Sequence, residues 1–135
     1  MRRQPRSVTF FHGVMDYLTG VLLLAAPWLF GFNDHRLATL TTAAFGLVLL
    51  LYSMATDYEL GLAKLIPMSA HLALDGVSAG LLIAAPFLFN FSDRVWVPHL
   101  IVGIVEAAVT GATVVALGIL ALAGPRRRSR RRAAH

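Results

Sequence analysis

The sequence predicts an all-α integral membrane protein with four transmembrane helices. Three observations carry that prediction: an excess of apolar residues, their gathering into four long runs, and an internal repeat. Hydrophobic residues make up 57% of the 135 and charged residues 14%, against about 45–50% and about 25% in a soluble domain. Mean hydropathy is +0.68. The runs cover Val8–Ala26, Leu37–Ala55, Pro67–Ala85 and Pro98–Ala123, and about 20 helical residues cross a hydrocarbon core of about 30 Å.

The first run follows Arg2, Arg3 and Arg6, as a cleaved signal peptide would. Yet His12 and Asp16 interrupt it, and a proline directly after Ala25-Ala26 suits cleavage poorly. A second copy of the same segment lies mid-chain. A retained span is therefore expected.

The repeat is plainest in Ala25-Ala-Pro-Trp-Leu-Phe-Gly-Phe32 and Ala84-Ala-Pro-Phe-Leu-Phe-Asn-Phe91, 59 residues apart. At that offset His12 falls on His71, Asp16 on Asp75 and Asp34 on Asp93. The second copy then runs two residues shorter, and Gly46 falls on Gly103. Internal repetition fixes an architecture before any other reading. The chain is thus expected to be one membrane domain over 1–135, with repeat one at about 8–56 and repeat two at about 67–123. A basic tail occupies 124–135.

Each repeat reads as a helix, a short polar turn (31–36 and 90–94) and a second helix. A longer connection, 56–67, joins the repeats. Equivalent points lie two spans apart, so the repeats are expected to run parallel, about a pseudo-twofold axis along the membrane normal. Ten of the twelve Lys and Arg residues fall on the side holding the termini and the 56–67 connection. The positive-inside rule places that side in the cytoplasm.

Proline lacks a backbone N–H and pushes the preceding residue away from helical geometry. Pro27 and Pro86 are therefore expected to end or kink the first helix of each repeat at the outer interface. The aromatic residues that follow, Trp28, Phe30 and Phe32, then Phe87, Phe89 and Phe91, fall at headgroup depth. These repeat motifs, Ala26-Pro27-Trp28 and Ala85-Pro86-Phe87, resemble the Ser-Pro-Trp signature of the SPW repeat family of bacterial integral membrane proteins. Ala replaces Ser in both copies and Phe replaces Trp in the second. The resemblance spans roughly residues 8–123. It implies a bacterial inner-membrane protein and carries no established activity.

The pairs His12-x-x-x-Asp16 and His71-x-x-x-Asp75 each put both side chains on one helix face. They stand near the cytoplasmic ends of repeat-equivalent helices. If those faces turn inward, a polar cluster forms near the pseudo-twofold axis. A carboxylate in the membrane costs about 2.5–3.5 kcal/mol at the helix centre and usually faces the bundle interior with a partner. Structural glue is the expected use, each Asp accepting from its own His or from a neighbouring helix. The alternatives are a divalent metal such as zinc or iron (less readily haem) on His12, Asp16, His71 and Asp75, and proton or ion transport.

Glu106 is an intramembrane acid without a repeat counterpart, since Leu49 aligns with it. It lies about eight residues, roughly 12 Å, in from Pro98. A cross-helix hydrogen bond is expected of it, with a proton or ion path as the alternative. Gly76-x-x-x-Gly80 and the row Gly103, Ala107, Gly111 are expected to pack helices inside the bundle. The acids of the 56–67 connection are expected to be solvated.

Cysteine is absent, which excludes disulfides and thiolate chemistry. No nucleophile-and-base pattern or phosphate loop appears, so no enzymatic activity and no cofactor are expected. The expected partners are the lipid bilayer, anionic lipid at the Arg126–Arg132 tail, and a second copy or another membrane protein. Nucleic acid is not expected, because charge alone without a folded module does not recognise it. The expected role is structural or partner-interacting, with a small ion or proton channel, a transporter or a metal-binding membrane protein as the rival.

Overall fold

The structure, a computed structural model, describes residues 5–123. Residues 1–4 and 124–135 lie outside it, and with them the Arg-rich tail and its expected lipid contacts. Four helices form a bundle: α1 Arg6–Leu29, α2 Arg36–Ala55, α3 Met68–Leu88 and α4 Val97–Ala123. All four are long and apolar enough to span a membrane. Among the described residues there is no β-strand, only an isolated bridge between Thr56 and Ile66. α1 packs chiefly on α2 and α3 chiefly on α4, while α1 with α4 and α2 with α3 touch more lightly.

Large apolar side chains such as Phe11, Leu18, Val21, Val77, Ile101 and Val115 are more than half exposed. The buried set includes His12, Asp16, Thr42, His71, Asp75 and His99. In water this arrangement would be costly on both counts. In lipid, apolar chains face an apolar solvent and polar groups turn to one another.

Glycines bring the helices of each pair close. A Cβ on Gly46 would lie 2.7 Å from the Gly20 carbonyl oxygen. One on Gly103 would lie 2.6 Å from Ile83 Cγ1 and 3.0 Å from the Ala79 carbonyl oxygen. Gly46 and Gly103 align, as do Gly20 and Ala79. The rest of the expected small-residue packing does not occur. Gly76, Gly80 and Gly111 meet nothing within 4 Å, and Ala107 is exposed. These positions line the outer surface, because α3 and α4 meet through Ala79 and Gly103 instead.

Pro27 and Pro86 do not end their helices. Each sits inside the last turn, and the helix runs on to Leu29 or Leu88. A proline so near a helix end forfeits one intrahelical bond while its fixed φ stays helical. Termination comes from the next aligned pair, Gly31 and Asn90, with left-handed φ of 69° and 56°. The Phe32 N–H then donates to the Pro27 carbonyl and the Phe91 N–H to the Pro86 carbonyl, both at 2.8 Å. This is the six-residue closure that commonly ends helices at a left-handed residue. Trp28, Phe30, Phe87 and Phe89 are exposed, whereas Phe32 and Phe91 turn inward and are 5% and 0% exposed. The phrase is therefore half anchor and half core.

Candidate functional site

The four residues of the repeated pairs meet in one buried cluster. His12 lies about 9 Å along α1 from its start and His71 about 5 Å along α3, at 1.5 Å per residue. Both are fully buried, and Asp75 and Asp16 are 1% and 6% exposed. The bonding is crossed between the halves. His12 Nε2 is 2.9 Å from Asp75 Oδ2, and His71 Nε2 is 2.9 Å from Asp16 Oδ2. Each imidazole is farther from the carboxylate on its own helix, at 3.4 Å for His12–Asp16 and 3.3 Å for His71–Asp75. Of the two expected acceptor arrangements, own His or neighbouring helix, the structure takes the neighbouring helix. One turn of helix aligns the two side chains side by side, and the facing helix offers the shorter approach.

The other ring nitrogens are fixed by two threonines that the sequence did not single out. His71 Nδ1 lies 2.8 Å from Thr56 Oγ1, and His12 Nδ1 lies 2.9 Å from Thr113 Oγ1. Thr56 and Thr113 align at the 57-residue offset of the second helices. Each threonine donates its own hydroxyl proton to a carbonyl four residues back, Tyr52 at 2.7 Å and Val109 at 2.8 Å. A hydroxyl has one proton, so its oxygen accepts from the ring, and both Nδ1 atoms carry hydrogen. Each Nε2 then shares one proton with its carboxylate.

Around this ring the two halves differ. The Tyr52 hydroxyl donates to Asp75 Oδ1 at 2.7 Å, and the residue aligned with Tyr52 is Val109, so Asp16 has no such donor. Beside Asp16 is a cavity of about 10 Å³, bounded in part by Leu49, Glu106, Val109 and Thr110, about the size that admits one water. Glu106 is buried, and among the described residues its Oε1 has no hydrogen-bond partner, nor has Thr110 Oγ1. The expected cross-helix bond of Glu106 is therefore absent at Oε1. Its place beside Asp16 depends on α4 packing that a one-dimensional pattern does not reveal.

The 56–67 connection closes the end of the bundle over the cluster. It folds back on α2, whose exposed carbonyls accept from it. The Leu62 and Leu65 N–H groups donate at 2.7 Å to Met54 and Ala55. The turn needs Gly61, since a Cβ there would collide with the Thr56 carbonyl. Tyr58, in this loop, is 5% exposed, and its ring centroid lies 5.6 Å from that of His71. Burial, then the Asp16 carboxylate, pushes its phenol above the ordinary tyrosine range, so it stays neutral. The loop acids stay out of the cluster. Glu59 accepts from Thr9 at 2.6 Å and Asp57 pairs with Lys64 at the surface.

At the other end, His99 is fully buried between Phe91 and Phe32, with centroids at 5.0 and 6.1 Å. Neither ring nitrogen has a partner. The sequence offered no sign of this, since Thr42 aligns with it.

Four apolar spans around a buried polar ring define an integral membrane protein of the helical-bundle class. The SPW repeat domain family matches residues 10–113, and the chain belongs to that family. No curated protein and no solved structure matches it.

Proposed function

We propose that this is a non-enzymatic protein of the bacterial inner membrane, built as two parallel helical hairpins with both termini in the cytoplasm. Its role is structural or partner-interacting. The crossed His/Asp ring carries this reading, because each half supplies what the other lacks: His12 needs Asp75 and Thr113, and His71 needs Asp16 and Thr56. The ring clasps the halves and leaves the apolar outer face to the bilayer and to another membrane protein or second copy. The tail is assigned to anionic lipid.

Ion passage receives less support. The cavity beside Glu106 holds about 10 Å³, and the 56–67 connection covers the cluster. Glu106→Gln in vesicles tests that rival, and loss of a flux in a folded variant would establish it.

His71→Ala tests the clasp. A lowered unfolding midpoint in mild detergent, with no other defect, is expected, and an unchanged midpoint would end the reading. The absence of cysteine makes topology equally accessible. Lys64→Cys is expected to resist a membrane-impermeant thiol reagent added outside cells, and Asp93→Cys to react. The reverse pattern would invert the orientation.

A further inference from the structure

We propose that the ring of His12, Asp16, His71 and Asp75 is a binding site for one divalent transition-metal ion of the zinc class. The inference rests on the clasp reading and deepens it: the same four side chains that join the halves form a ligand set.

The donor chemistry comes first. Two imidazoles and two carboxylates suit zinc and neighbouring first-row divalent ions. One ligand atom from each residue can be chosen so that all lie within 4.8 Å of one another. Asp75 Oδ2 lies 2.9 Å from His12 Nε2 and 3.3 Å from His71 Nε2, while Asp16 presents Oδ2 to His71 Nε2 at 2.9 Å and Oδ1 to His12 Nε2 at 3.4 Å. A tetrahedral ion with bonds of about 2.0–2.1 Å to nitrogen or oxygen has ligand–ligand edges of roughly 3.3 Å. The nitrogen–oxygen pairs already stand near that edge, and the wider pairs, within 4.8 Å, close toward it as the ion binds.

The outer partners point the same way. A metal-bound histidine almost always gives its second ring N–H to an oxygen, which fixes the tautomer and aims the lone pair at the ion. Thr56 and Thr113 do this for His71 and His12, and their own hydroxyl protons are committed elsewhere. Both Nε2 atoms are consequently aimed inward at the carboxylates. Tyr52 steadies Asp75 through its other oxygen.

Charge closes the account. With neutral rings and ionised carboxylates the site carries two negative charges, which one divalent ion balances. Asp16 is the most exposed of the four and borders the cavity beside Glu106. Ion exchange is therefore assigned to that side.

The test uses the full chain, untagged, in mild detergent, stripped of metal and titrated with Co²⁺. The expected result is the visible absorption of four-coordinate Co²⁺ at one equivalent per chain, displaced by Zn²⁺. His12→Gln and Asp75→Asn are expected to lose it. Thr113→Val, which keeps every ligand, is expected to bind about tenfold more weakly, the lower end of the effect of such outer partners. It keeps the test decisive if a ligand variant fails to fold. No Co²⁺ absorption in the folded wild-type protein would overturn the proposal, as would absorption that survives His12→Gln and Asp75→Asn. A wild-type protein that binds no metal but loses stability on His71→Ala would leave the clasp standing without its ion.

Discussion

Asp75 and Asp16 hold aligned positions on α3 and α1 and face the same kind of histidine, yet their surroundings differ. Asp75 receives a tyrosine hydroxyl and is sealed. Asp16 lies across a small cavity from an acid with an unpartnered oxygen. The difference traces to two aligned substitutions on the second helices, Tyr52 against Val109 and Leu49 against Glu106. A repeat supplies two copies of a polar pair, and the neighbours then decide which copy is locked and which is approachable.

The harshest way to break the comparison is to remove the locked carboxylate. Asp75→Ala leaves His12 and the Tyr52 hydroxyl without their acceptor, and a loss of about 3–5 kcal/mol is expected. Asp16→Ala is expected to cost less, and equal unfolding midpoints for the two variants would erase the asymmetry. The helix contacts offer a second contrast. Gly46→Ala sets a methyl 2.7 Å from the Gly20 carbonyl oxygen, whereas Gly103→Ala first meets Ile83 Cγ1, with the Ala79 carbonyl oxygen farther off at 3.0 Å. The first is expected to cost about 3 kcal/mol and the second about 1, within the range of overpacking. Thermal unfolding in one detergent can rank them, and the reverse order would contradict the packing.

Tyr52→Phe sharpens the comparison by making Asp75 resemble Asp16. It leaves Oδ1 without its donor, at an expected cost of about 2 kcal/mol. In a double-mutant cycle with Asp75→Asn, most of that is expected to vanish. Full additivity would show that the hydroxyl acts on something else. The smallest effect is expected from Glu106→Leu, which gives α4 the residue that α2 carries. Removing an unpartnered buried acid is expected to raise stability by about 1 kcal/mol. A loss of stability instead would mean that Glu106 has a partner when the protein sits in a bilayer.

Much of this was legible in the sequence. The apolar runs marked four spans, and the offset of 59 picked out the four residues that meet in the ring. What could not be read depended on contacts between elements. The crossed choice of partner requires the separation of α1 and α3, which no spacing encodes. Thr56 and Thr113 become ring partners only because their helices end or pass beside the histidines. The prolines drew the eye as helix terminators, while the left-handed Gly31 and Asn90 do the terminating. Gly76 and Gly80 carried a packing motif but face outward, because Ala79 and Gly103 already bring α3 and α4 together.

The crossing of the bonds also bears on how such a chain is made. Neither half can complete its own ring: the bonds that join His12 to Asp75 and His71 to Asp16 are those that two copies of a single hairpin would exchange across a twofold axis. During synthesis the first hairpin therefore enters the membrane with its histidine and carboxylate unsatisfied by any cross-half partner. It waits for α3, and Thr113, just past the middle of α4, comes last in chain order to fix the ring of His12.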